Sequence, residues 1–160
     1  MYLRGFSDQR LRKLALECFE NFIKPDIKAA LMNEIQKRKS DGYQILLLSG
    51  SLPCLVEPMV QYTGADFMIC SDVEIVNGRY KGEMKTLHPY GKNKKLLADN
   101  FCKEHGFRLE QACVYANEWA DRFLLESAGE AIAVDPDKKL EKLAGVKKWR
   151  ITKNLLKENA

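Results

Sequence analysis

The chain has 160 residues, 46% hydrophobic and 30% charged, with a formal net charge of +4. That length suits one domain able to bury roughly two-thirds of its unfolded surface, and that balance is soluble and globular. Its longest aliphatic run, Ile45 to Leu48, falls far short of a membrane span, and the start MYLRGFSDQR has no apolar signal core, so a cytoplasmic protein with no membrane partner is expected.

Ser7 is placed to cap a first helix whose Leu11, Leu14, Ala15, Cys18, Phe19 and Phe22 fall at helical spacing. Pro25-Asp26 opens a second, with Ile27, Ala30, Leu31 and Ile35 on one face and an end near Asp41-Gly42. YQILLLSGS reads as a short apolar strand of a parallel sheet covered on both faces. A helix from Pro53 to about Tyr62 and a strand over 67–71 follow. In VEIVNGRYKGEM, Asn77-Gly78 between β-prone runs is a hairpin signal. Leu96 to His105 predicts a helix closed by Gly106, CVYA a strand, Trp119 to Ser127 a helix, and AIAV a strand. A short helix over 137–143 precedes a last strand around 149–151, and the tail from Asn154 is expected to fray.

Alternating strands and helices of this kind indicate a doubly wound α/β sheet with right-handed crossovers. The expected division is a partial helical cap over 1–40, an α/β core over 41–153 and a tail over 154–160, all one compact unit. Basic clusters such as Lys37-Arg38-Lys39 and Lys92 with Lys94-Lys95 come with no nucleic-acid-binding motif, so they read as solvated helix faces and no nucleic-acid partner is expected. Five cysteines without CxxC spacing read as reduced, packed thiols. His88, His105 and Trp119 read as surface or packing residues.

The order of motifs resembles the haloacid dehalogenase (HAD) superfamily, in its phosphoserine-phosphatase-like branch, subfamily IB. LLLSGS is similar to the family's second motif, a strand ending in Ser or Thr, and YGKNKKL to its third, a lysine at a helix start. VYANEWADRFLLESAGEAIAVDPDKKL is similar to the fourth, written GDSxxD, and EIVNGRYKGEM to the hairpin that precedes motif three. The resemblance implies a three-layer, Rossmann-type parallel sheet with a β-hairpin insertion, and a Mg2+-dependent phosphatase chemistry. In that chemistry an aspartate attacks phosphorus, a second acts as general acid and base, and hydroxyl, lysine and metal hold the transferring oxygens.

Carried over by position, the resemblance makes Ser49 and Gly50 phosphate-binding, with Lys94 as the lysine and Lys92 and Lys95 as close competitors. It makes Asp121 the second acid of motif four. Asn117 stands where the first acid is expected, keeping an oxygen ligand without its charge, and Glu118 could supply a carboxylate one residue along. The family's opening DxDxT is not found in these 160 residues; the one DxD, Asp135-Pro-Asp137, follows a later strand and lacks the threonine. Three expectations follow. One is a HAD-like domain that keeps part of a phosphate and magnesium site but is catalytically impaired. A second is part of a working phosphatase of small phosphomonoesters, its first strand supplied by another segment or chain. The third is a non-enzymatic oligomeric binding or scaffold protein. The absent first strand leaves room for a homodimer or partner chain to complete the sheet.

Overall fold

The computed structural model describes residues 3–153; the expected tail from Asn154 lies outside them. Contacts divide the chain after Pro89 into two compact units, each described by itself.

In the first unit, Ser7 caps α1 (Asp8–Cys18), its hydroxyl accepting from the Arg10 N–H. The helix then loosens into a π-turn over Phe19–Ile23, where the Lys24 N–H reaches back to the Phe19 carbonyl. Such a turn inserts one residue and rotates the apolar face. Phe19 therefore stays buried, while Phe22, expected on the same face, is 72% exposed. A 3-10 turn occupies Lys24–Asp26 and Ile27 is extended, so α2 starts later than Pro25-Asp26 suggests, at Ala29–Ser40.

β1 (Leu46–Leu48) and β2 (Phe67–Ile69) pair in parallel across α3 (Pro53–Thr63). Asp66 fixes their start by accepting from the Ile45 N–H at 2.7 Å, and that bond holds its carboxyl below the usual range. β3 (Val73–Val76) and β4 (Arg79–Met84) form the expected hairpin, with Asn77 and Gly78 both at positive φ. The N-terminal segment packs within this unit. The Gly5 N–H donates to Tyr80 O at 2.7 Å, the Tyr80 hydroxyl to Asp8 at 2.9 Å, and Arg12 on α1 meets Glu57 on α3 at 2.6 Å. Those contacts tie it to the hairpin and to α3. Burial pushes the phenol of Tyr80 and the thiol of neighbouring Cys54 up. All five cysteines are free, as expected.

In the second unit, α4 (Lys92–Glu104) precedes a parallel sheet in the order β5 (Cys113–Ala116), β6 (Glu130–Val134) and β7 (Arg150–Thr152). α5 (Arg122–Leu125) and α6 (Lys138–Lys147) fill the connections. The core is Leu125, Ala131, Ala133, Leu140 and Ala144, with Val114, Ala116 and Trp149 against it. α4 begins four residues earlier than apolar spacing suggests, which brings Lys94 into its first turn. The predicted helix over 119–127 is instead a 3-10 turn, Trp119–Asp121, followed by the four-residue α5.

Strands flanking helices, parallel pairing and a hairpin make this the α/β architecture expected. Hydrogen bonding groups the described strands into separate sheets. Among the described residues β1 has β2 as its strand partner and β5 has β6. Ile45 O and Ser49 N both bond toward β2, so strand parity turns the backbone groups of Leu46 and Leu48 to the opposite edge. β1 is accordingly only half-buried, unlike β6, where Ile132 and Ala133 are 0% exposed.

Candidate functional site

In the second unit, the chemistry assembles where β5 ends. The chain leaves Ala116, passes the exposed Asn117 and Glu118, and turns through Trp119–Asp121. That turn buries Asp121, and its Oδ1 meets Lys94 Nζ from the first turn of α4 at 2.7 Å. The carboxylate oxygen has no hydrogen-bond partner of acceptable angle, so it is matched by charge rather than by a directed bond. The competing lysines go elsewhere: Lys95 pairs with Asp99 within α4 at 3.3 Å, and Lys92 lies 5.3 Å from the centre of the Phe123 ring.

The loop is held by a residue that sequence reasoning left aside. Asp137 caps α6, accepting from the N–H groups of Lys139 and Leu140 at 2.9 Å each, and its other oxygen accepts from the Trp119 N–H at 2.7 Å. The Asp137 N–H in turn donates to Asn117 O at 2.9 Å. A cap aspartate was legible from DPDKKL; its second grip, on the loop after β5, was not. These backbone bonds, Leu140 first, hold the Asp137 carboxyl below the usual range. A depressed carboxyl stabilises the fold above its unfolded value, about pH 4, and that contribution is lost as pH falls through the folded value. Asp137→Ala is expected to lower stability by about 1–2 kcal/mol at pH 7. In urea melts the gap between it and the unsubstituted protein should close on acidification toward pH 3. An equal gap at both pH values would contradict this role.

In the first unit, Ser49 ends β1. Its N–H donates to Ile69 O at 2.9 Å and its Oγ accepts from the Ser51 N–H at 3.1 Å. The Ser51 N–H is thus engaged locally. Gly50 O accepts from the buried Ser71 hydroxyl at 2.7 Å, and Ser71 Oγ also contacts His88 Nδ1 at 2.8 Å. With its one proton given to Gly50, Ser71 can only accept in its contact with His88, which calls for a proton on Nδ1. His88 packs against Gly50 closely enough that a Cβ there would lie 3.3 Å from Cε1. Neither Ser71 nor this placement of His88 carried a sequence signal. His105 ends α4, its Nδ1 3.0 Å from Phe101 O.

The donor set for magnesium is incomplete in these residues. Asn117 offers an amide oxygen, Glu118 is exposed, and the charge of Asp121 is matched by Lys94. Among the described residues no group of three His, Cys, Asp or Glu side chains is placed to hold a metal. A hard divalent ion favours carboxylates in near-octahedral array, so these residues by themselves do not fit it.

Residues 1–126 match the haloacid dehalogenase-like hydrolases. The chain belongs to that family. It is 26% identical over 147 residues to a probable phosphatase of Mycobacterium tuberculosis, covering 92% of this chain and 51% of the relative. Among solved structures, a Bordetella pertussis protein of unknown function superposes with a TM-score of 0.85 at 20% identity, over 91% of this chain and 67% of that one. A phosphoserine phosphatase captured as a phospho-aspartyl intermediate analogue gives 0.69 at 16% identity, over 97% and 68%. The fold is therefore the HAD-like α/β fold. The chain spans about half the length of the curated relative it matches. Among the described residues no helix is long and apolar enough to cross a membrane.

Proposed function

We propose that this HAD-family chain binds the phosphoryl group of a small phosphomonoester, with Lys94 as the cation that meets it and Asp121 as the carboxylate that holds the lysine. The observation that carries this reading is the 2.7 Å pair between Lys94 and the buried Asp121. A lysine anchored by a buried acid in the first turn of a 13-residue helix offers a fixed positive charge to an anion. Ser49, at the end of β1, is a phosphate contact by family resemblance alone. Asn117 and Glu118 are the side chains of this loop that would complete a magnesium shell if further carboxylates were provided. A working phosphatase of this kind needs an attacking aspartate, and these 160 residues contain no DxDxT. As this chain, it is expected to bind phosphate and not to turn over, because removal of a nucleophile costs several orders of magnitude.

The half-buried β1 edge favours a second component: a strand from another segment or chain pairing with Leu46 and Leu48. The test is a phosphatase assay with small phosphomonoesters and magnesium, run on the chain alone and with an added segment carrying a DxDxT strand. Binding of inorganic phosphate without turnover, and turnover on complementation, are the expected results. Turnover by the chain alone that disappears in Asp121→Ala would sink the reading. A stable dimer with no phosphate response would point to the scaffold instead.

A further inference from the structure

One buried serine holds the loop that follows β1. Ser71, on the connection from β2 to β3, is 4% exposed and takes two successive carbonyls of that loop. Its hydroxyl donates to Gly50 O at 2.7 Å, and its N–H donates to Ser51 O at 2.9 Å. The His88 ring completes the arrangement. Its Nδ1 stands 2.8 Å from Ser71 Oγ, and its Cε1 would lie 3.3 Å from a Cβ on Gly50. A hydroxyl has one proton, so its bond to Gly50 O requires His88 to be the donor at Nδ1.

A buried hydroxyl between a carbonyl and an imidazole adds little net stability, because folding exchanges its bonds to water for bonds within the protein. What it fixes is orientation. Carbonyl oxygens repel an anion and N–H groups attract it, so a loop receives phosphate only with its carbonyls turned aside. Here the Gly50 and Ser51 oxygens are both committed to Ser71. In a trans peptide the N–H points opposite to the carbonyl before it, so the Ser51 and Leu52 N–H groups face away from Ser71. The Ser51 N–H meets Ser49 Oγ at 3.1 Å, which puts this N–H face on the side of the Ser49 hydroxyl.

We propose that Ser71, its proton directed by His88, is a positioning residue of the phosphoryl site: it turns the Gly50–Ser51 backbone so that N–H groups, not carbonyls, meet the anion. This rests on the reading of the Ser49–Gly50 loop as phosphate-binding. Inorganic phosphate is titrated calorimetrically into the unsubstituted chain, Ser71→Ala, His88→Asn, His88→Gln and the double variant Ser71→Ala with His88→Gln, and urea denaturation gives the stability of each. Asparagine places its amide nitrogen where Nδ1 stands, glutamine where Nε2 stands. Ser71→Ala is expected to weaken phosphate binding about tenfold and His88→Gln about fivefold, while His88→Asn holds most of the affinity. The double variant should lose no more than Ser71→Ala, since both changes act through one hydroxyl. Affinity kept by glutamine and lost by asparagine means that His88 meets the anion directly through Nε2, and overturns the proposal. So does an undiminished affinity in Ser71→Ala, or a loss that merely follows stability across the set. Should Ser71→Ala fail to fold, the two substitutions of the exposed His88 decide the matter, and equal affinities overturn it. Absence of phosphate binding by the unsubstituted chain overturns the phosphoryl reading and this role together, whereas the other failures leave that reading standing.

Discussion

Lys94→Met is expected to destabilise the protein by about 3 kcal/mol, lowering the melting temperature by roughly 10 °C, because it strands a buried carboxylate. Side-chain exposure is 17% for Lys94 and 9% for Asp121, so solvent screens this pair far less than it screens the surface ion pairs. Asp121→Leu should cost less, since a lysine can extend its ammonium to water where an aspartate cannot. The double variant, Lys94→Met with Asp121→Leu, should recover most of the loss, as apolar replacement of both partners commonly does. Urea denaturation of the four proteins gives the coupling directly. The same set tests function. If the pair serves only the fold, the double variant regains phosphate binding together with stability. On the phosphoryl reading it regains stability and still binds no phosphate. A Lys94→Met protein as stable as its parent would show that the pair carries no structural charge compensation at all.

Gly129→Ala is expected to be nearly as damaging, although the residue is exposed. A Cβ at Gly129 would run into the carbonyl oxygen of Glu110, with Glu110 C at 3.0 Å and Gln111 Cα at 3.3 Å. These are backbone atoms of the turn that leads into β5, and the Glu130 N–H bonds Ala112 O at 3.1 Å just beside them. Nothing flexible can yield, so about 3 kcal/mol of overpacking strain is expected. Gly145 provides the control. It lies inside α6 with open space around its Cβ position. Gly145→Ala should raise stability by about 0.5–1 kcal/mol through the unfolded chain's lost freedom. Thermal melts that show the same sign for both substitutions would contradict this account.

Several elements were legible before any contact was known. Asn77-Gly78 announced the hairpin because only residues tolerant of positive φ close such a turn. The apolar runs ILLL, CVYA and AIAV announced parallel strands because burial on both faces removes alternation. Other features were hidden. Nothing in FENFI signals a π-turn, so Phe22 was placed on the wrong face. Apolar spacing began α4 at Leu96, since its polar first turn, with Lys92 and Lys94, contributes nothing to a hydrophobic period. Ser71 and His88 look like ordinary loop residues until the chain brings both to Gly50.

The candidate site divides in the same way. Local sequence determined which residue types end each strand: Ser49 after ILLL, and Asn117 to Asp121 after CVYA. It also determined that no DxDxT accompanies them in these residues. Resemblance singled out Lys94 and Asp121, with Lys92 and Lys95 still in competition. Tertiary structure decided among the three lysines, because only the crossing of α4 over the 119–121 turn brings one ammonium to the buried carboxylate. It also gave Asp137 its grip on Trp119 and Ser71 its hold on Gly50. Propensity and periodicity act over a few residues along the chain, whereas charge pairing and close packing act between segments distant in sequence. The elements could therefore be read from the sequence, and the partners of their charged side chains could not.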